Sequence, residues 1–301
     1  MALARELAPR RTDQARIDPE QAGVQRLFAE ASWDWRPNQT LQVFALHQDD
    51  RSANGVPGQQ LSTAREDESD ARLTWWGARL TGGFALERGG VLGYWFDWAQ
   101  VRGKERMIEY EALDAHDSTV VGVQGRRVRG HGFDVGINWL LPFRTEPRLF
   151  AGYAFGSGDA DPQDGVDHTF RQTGLQANES GFGGVQRFAQ YGFLLDPELS
   201  NVRIQTISAG ISLLRSSSLD VVYHRYRLDQ PGTALCDTRL DIALDGEHRA
   251  LGRGIDVVLA VEEWERFEFG LIASVFRAGR AFQNNEGACS YGALLAMRIA
   301  F

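Results

Sequence analysis

The feature that most constrains this chain is a side-chain period of two, held over run after run of about ten residues from residue 24 onward. The run GFDVGINWLLP sets Phe133, Val135, Ile137 and Trp139 against Asp134, Gly136 and Asn138. VRIQTISAGISLL sets Ile207, Ala209, Ile211 and Leu213 against Thr206, Ser208, Gly210 and Ser212. GIDVVLAVEEW, RFEFGLIASVFRAG and YGALLAMRIAF repeat the pattern near the C-terminus. A helix repeats every 3.6 residues, so only extended strands put such side chains on one face. Eleven runs of this kind can be drawn, although LDVVYHRYRL has no settled phase.

The segments between the runs alternate in length. Turns near residues 36–38, 143–147, 216–218 and 263–266 are short, whereas 49–70, 102–129, 158–201 and 229–250 are long and polar. This alternation is the signature of outer-membrane barrels, with short turns on the periplasmic side and long loops outside. Soluble strands average five or six residues, and sandwich turns recur without such regularity. No run of eighteen apolar residues is present, so no helix crosses a membrane, but barrel strands do not need one. One face of the runs is apolar with Trp and Tyr, while the other mixes Gly, Ser, Asp and Arg. In lipid every backbone group must be paired, which requires closure. The expected fold is therefore all-β, a transmembrane antiparallel β-barrel of the outer-membrane type. Phe301, in phase with the apolar face of the last run, fits a barrel-assembly signal.

The ends add two expectations. Residues 1–23 read as a polar leader or outer-loop remnant, and residues 24–301 as the barrel domain with an infolded loop at 170–201. An odd number of strands and a start without a signal peptide point to the C-terminal part of a larger barrel. Expressed from Met1, such a chain is expected to aggregate or stay cytoplasmic. Net charge is −8, which disfavours nucleic acid as a partner. Cys236 and Cys289 both fall on the outer side by topology and are placed to form one bridge in an oxidising envelope.

Chemistry is sparse. His47, His116, His131, His168, His224 and His248 are scattered and read as solvated loop or rim residues. No H-x-x-x-H, C-x-x-C, G-x-S-x-G or phosphate-loop motif occurs, so no catalytic residue, cofactor or metal is expected.

The exception to the alternation is the stretch FRQTGLQANESGFGGVQRFAQYGFLLDPELSN at 170–201. It has five glycines to fold on and aromatics at Phe182, Phe188, Tyr191 and Phe193 to pack with. A loop this long in a compact protein is functional, disordered, or packed for stability. Its run QTGL, then Asn, a Phe-Gly pair, Arg-Phe and DPELSN resembles the alginate-export family of outer-membrane β-barrel porins. The resemblance continues into VRIQTISAGISLL and, more weakly, from about residue 24 to Phe301. It implies that this segment folds from an outer loop into the lumen and supplies constriction arginines, with Arg187 at the motif's arginine position.

Selectivity in such pores comes from charged side chains at the constriction. By phase, Arg79 and Arg298 face inward, against Glu30, Asp34, Asp97, Asp134, Asp256, Glu262 and Glu268. The segment itself adds Arg171, Arg187 and Glu179. The pore candidates are thus Arg187, Arg171, Glu179, Arg79, Arg298, Asp134 and Asp256. The competing role for Arg187 is a salt bridge tying the loop to Asp134 or Asp256. Gly152, Ala154 and Gly156 leave room on the inner face for a loop to approach. Two departures from the family stand out. Gly270 and Ile272 occupy the positions of two inward arginines, and a bare turn at 263–266 replaces a long periplasmic loop. The resemblance implies an outer-membrane channel for an anionic polysaccharide or other small solute, in contact with outer-membrane lipid and with periplasmic export partners. The alternatives are a barrel enzyme acting on lipid or envelope substrates, a general solute porin, and a soluble β-rich binding protein.

Overall fold

The computed structural model describes residues 2–7, 23–53, 55–63, 69–114, 116–173, 178–235, 238–240, 243–264 and 266–299. The strands are β1 (Ala2–Leu7), β2 (Gln25–Arg36), β3 (Gln39–Asp49), β4 (Gln60–Ser62), β5 (Ser69–Leu86), β6 (Gly90–Ala112), β7 (Asp117–Leu140) and β8 (Arg148–Gly156). They continue with β9 (Val166–Asp167), β10 (Glu179–Ser180), β11 (Phe188–Ala189), β12 (Val202–Ser212), β13 (Ser217–Leu228), β14 (Ala250–Trp264), β15 (Phe267–Ala278) and β16 (Cys289–Ile299).

Twelve strands form one antiparallel path, β1-β2-β3-β5-β6-β7-β8-β12-β13-β14-β15-β16, in which each strand pairs with its neighbour in sequence apart from the short β4 and β9–β11. The alternation in sequence is the alternation of burial. Along β12, Val202, Ile204, Thr206, Ser208 and Gly210 are buried, while Arg203, Gln205, Ile207, Ala209 and Ile211 are exposed. The unsettled β13 resolves the same way: Asp220, Val222, His224 and Tyr226 point inward and Val221 and Arg225 outward.

The outward face is an apolar band. Val43, Phe96, Ile137, Leu149, Ile207, Val221, Val257, Leu295 and Met297 are all exposed. Aromatics crowd the short-turn rim, with Trp33, Trp35, Phe84, Trp139, Phe143 and Trp264 exposed there. A continuous exposed apolar surface flanked by aromatics is stable against lipid, not water.

Two expectations change. Residues 102–129 are not a loop: β6 and β7 run 23 and 24 residues and pair from Val91↔Leu140 to Ala112↔Ser118. Nine to eleven residues cross a bilayer, so the outer halves of this hairpin project beyond the lipid. There the outward side chains are Arg102, Lys104, Arg127 and Arg129, and the apolar signal that marks a membrane strand is lost. The polar leader holds a strand, β1, paired with β2 from Ala2↔Glu30 to Leu7↔Gln25, so the path has twelve strands and not the odd count of eleven read from the sequence. Residues 8–22 of that leader, Phe301 and Cys236 lie outside the described residues. Cys289 is an exposed free thiol.

Candidate functional site

The described residues of the stretch 170–201 lie against the inner face and are held by side chains from most of the strands. At its start, Trp75 Nε1 on β5 donates to the Arg171 carbonyl at 2.7 Å. Arg171 Nη2 donates to Glu105 on β6 at 2.9 Å and to Asp167 at 2.8 Å. Burial alone raises the Asp167 carboxyl, but Arg171, Thr169 and Arg126 outweigh it and hold it below its ordinary value. In the middle, β10 and β11 form a small hairpin, Glu179↔Ala189 and Ser180↔Phe188.

The tip of this hairpin presses on the far wall. The Val185 amide donates to Ser218 Oγ on β13 at 3.0 Å. Gly183 and Gly184 sit over Arg148 and Asp220, themselves a buried ion pair at 3.0 Å. Phe182 is buried, its ring edge-on to Phe150 at 4.7 Å, and its backbone sits in the left-handed region at φ 48°. Aromatic residues rarely adopt that conformation, so packing holds it there. Gly270 on β15 gives the tip its room: a Cβ there would lie 2.5 Å from Gln186 Oε1. The glycine that departs from the family's arginine thus accommodates the loop.

The last third of the segment is anchored by two inward carboxylates. Asp134 on β7 accepts from Trp95 Nε1 at 3.0 Å, Gln190 Nε2 at 2.6 Å and Tyr191 OH at 3.0 Å. Asp256 on β14 accepts from the Phe193 amide at 3.3 Å and from the Ser274 hydroxyl, and its Oδ2 lies 3.4 Å from His224 Nε2. His224 is fully buried, with Nδ1 2.9 Å from Thr206 Oγ1, and is not the rim residue the sequence suggested. The Tyr191 carbonyl accepts from Tyr226 OH at 2.7 Å. The segment ends against β8, where a Cβ on Gly156 would lie 2.2 Å from the Leu199 carbonyl oxygen. Tyr191, Leu195 and Leu199 join Leu46, Trp75, Val101, Ile204, Tyr226 and Phe276 in one buried cluster.

The candidate charges therefore divide. Arg171, Asp134 and Asp256 are spent on anchoring. Arg187 meets neither Asp134 nor Asp256: its Nη2 donates to the Glu179 carbonyl at 3.0 Å, and the side chain is exposed without an ion pair among the described residues. Glu179 is exposed beside it. Arg79 is 3.3 Å from Asp97, and Arg298 is 3.6 Å from Glu268, both on the inner face; Arg79, Arg298 and Glu268 are open to solvent, whereas the Asp97 Oδ1 that meets Arg79 is buried. Sequence reasoning missed Glu105, which fell in the presumed loop, and Asp220 and His224, which fell on the strand of unsettled phase. Among the described residues no cluster of His, Cys, Asp and Glu is placed to hold a metal.

The chain matches the family described as alginate export over residues 3–293. It is 26% identical over 259 residues to the alginate production protein AlgE of Pseudomonas aeruginosa, a match covering 85% of this chain and 51% of that protein. To the AlgE of Pseudomonas syringae pv. tomato it is 22% identical, covering 94% of this chain and 61% of that one. To the AlgE of Azotobacter vinelandii it is 23% identical, covering 83% and 52%. The chain thus spans between about half and three-fifths of the length of these curated relatives. With a family match over nearly its whole length and an antiparallel sheet carrying an apolar outer band, the chain belongs to the alginate export family.

Proposed function

We propose that this chain builds the wall and the inner constriction of an outer-membrane channel that passes an anionic polysaccharide of the alginate type. The observation that carries the proposal is the segment packed against the inner face, which leaves Arg187 exposed with no carboxylate paired to it among the described residues; placed there, the segment would narrow the lumen. An unpaired guanidinium at a constriction attracts carboxylates without holding any one of them tightly, as conduction requires. Buried inner side chains on β7, β8 and β12–β14 support an open path beside the segment, past Arg79–Asp97 and Glu268–Arg298. Arg187 and these pairs would form a ladder of partly compensated charge. Passage of the polymer is passive, and no step is enzymatic.

The test is Arg187→Glu in protein reconstituted in planar bilayers under a salt gradient. The reversal potential is expected to move toward cation preference, while Arg187→Lys keeps the parent's value. If Arg187→Glu leaves the reversal potential where it was, Arg187 does not line the conducting path.

A further inference from the structure

The outward face carries a feature that transport does not use. Arg225 on β13 lies directly opposite Arg253 on β14, and Arg253 directly opposite Arg277 on β15. All three are exposed and make no ion pair among the described residues. Directly opposed residues have Cβ atoms about 5 Å apart, and like charges in that position destabilise a sheet. Three in a row, in a chain of net charge −8, call for an anion that joins them.

Their depth identifies the anion. On β14 the ten residues from Ile255 to the rim residue Trp264 match the length that crosses a bilayer, and Arg253 is the next outward residue. On β15 the outward side chains from Phe267 to Val275 are apolar, and Arg277 follows. The three guanidinium groups therefore stand at the outer edge of the lipid-facing band, on the side of the long loops. By contrast Arg203 on β12, two residues farther out and opposite Arg227, is already neutralised by Asp229.

We propose that Arg225, Arg253 and Arg277 form a binding site for the phosphate of an anionic lipid headgroup in the outer leaflet, whose acyl chains lie on Val221, Ile255 and Val275 below. Guanidinium groups pair with phosphate oxygens in a two-pronged geometry, and adjacent ones share a single phosphate. The lipid is favoured over a soluble anion because the apolar surface under the triad is continuous with it. The inference rests on the chain spanning the membrane and not on what it transports.

The experiment uses the protein in a neutral detergent, with lipid adducts counted by native mass spectrometry. Phosphatidic acid is expected to bind about a hundredfold more tightly than phosphatidylcholine, on the scale of three basic contacts at a membrane surface. Inorganic phosphate and a polyuronate oligosaccharide at the same concentration are expected not to displace it. Arg253→Glu places a carboxylate between two arginines, so the fold is expected to resist urea at least as well as the parent while the phosphatidic acid preference disappears. Arg225→Gln/Arg253→Gln/Arg277→Gln is expected to lose the preference too. Equal binding of the two lipids, or a preference that survives Arg253→Glu, overturns the site. Displacement by inorganic phosphate reassigns it to a free anion, and displacement by the polyuronate to the polymer; either overturns the lipid assignment. The readout needs no conduction, so its failure and that of the Arg187→Glu recording are separate events.

Discussion

Asp134 shows how much of this molecule hangs on single inward carboxylates. It is buried and accepts three hydrogen bonds, two of them from the infolded segment. Asp134→Ala would leave the Trp95, Gln190 and Tyr191 donors without an acceptor in a dry site, at a cost of about 3 kcal/mol. The expected outcome is a lower urea midpoint and faster proteolysis within residues 178–201, with strand content by circular dichroism unchanged. Asp167 makes a pH-dependent contribution of known sign. Its folded value lies below the ordinary 3.8, so its stabilisation is complete above that pH and is lost as pH falls through the folded value. Hydrogen exchange at residues 167–173, corrected for intrinsic rate, should therefore accelerate on acidification below pH 3.8. Asp167→Asn should remove that dependence while loosening the segment at neutral pH. An unchanged acid response in Asp167→Asn would show that other carboxylates hold this end. Neither role was legible in sequence. Phase put Asp134 on the inner face, but which donors it would meet depends on a loop path that no local pattern encodes.

At the scale of elements, the alternation told which strands exist and which way most of them face, because lipid on one side and packed interior on the other impose opposite demands on successive residues. Where one of those demands is absent, the pattern fades. The outer half of the β6–β7 hairpin has water outside, so Arg102, Lys104, Arg127 and Arg129 occupy outward positions and the strand read as a polar loop. β13 was ambiguous for a related reason, since its inner face carries Asp220 and His224 and its outer face Arg225 and Arg227. The infolded segment was recognisable by its break in period and its motif, and Gly156 behaves as its position among small inward residues suggested. Gly270 was read only as the loss of a charge, whereas a side chain there would meet the carboxamide end of Gln186. Gly270→Leu should therefore push the hairpin tip off β15 and destabilise it by about 1–3 kcal/mol through overpacking. Increased exchange confined to residues 179–188 would be the signature, and a neutral substitution there would count against the close approach.

At the scale of the whole molecule, one segment reaches Trp75 on β5, Asp134 on β7, Ser218 on β13, Asp256 on β14, Gly270 on β15 and, through Leu194, Gly292 on β16. Between β5 and β16 the path crosses eight strand spacings, about 38 Å if the sheet were flat. A segment whose described parts fold into short turns touches both β5 and β16 because the sheet curls around it. Lumen width and segment are thus coupled. Removing residues 179–186 takes Phe182 out of its cluster with Phe150, Phe188, Val222, Val258 and Ile272, and breaks the Val185–Ser218 contact. The Asp134, Asp256 and Tyr226 anchors to residues 190–193 remain, so the shortened segment stays attached and the barrel keeps its curvature. The lumen widens where the hairpin stood, and Arg187 loses the Glu179 carbonyl that fixes it. Single-channel conductance is expected to rise severalfold and anion preference to fall, together, while the urea midpoint drops by less than in Asp134→Ala. If conductance is unchanged, the hairpin does not narrow the path. If conductance rises with anion preference intact, the selecting charge lies with Arg79 or Arg298 on the wall and not with Arg187.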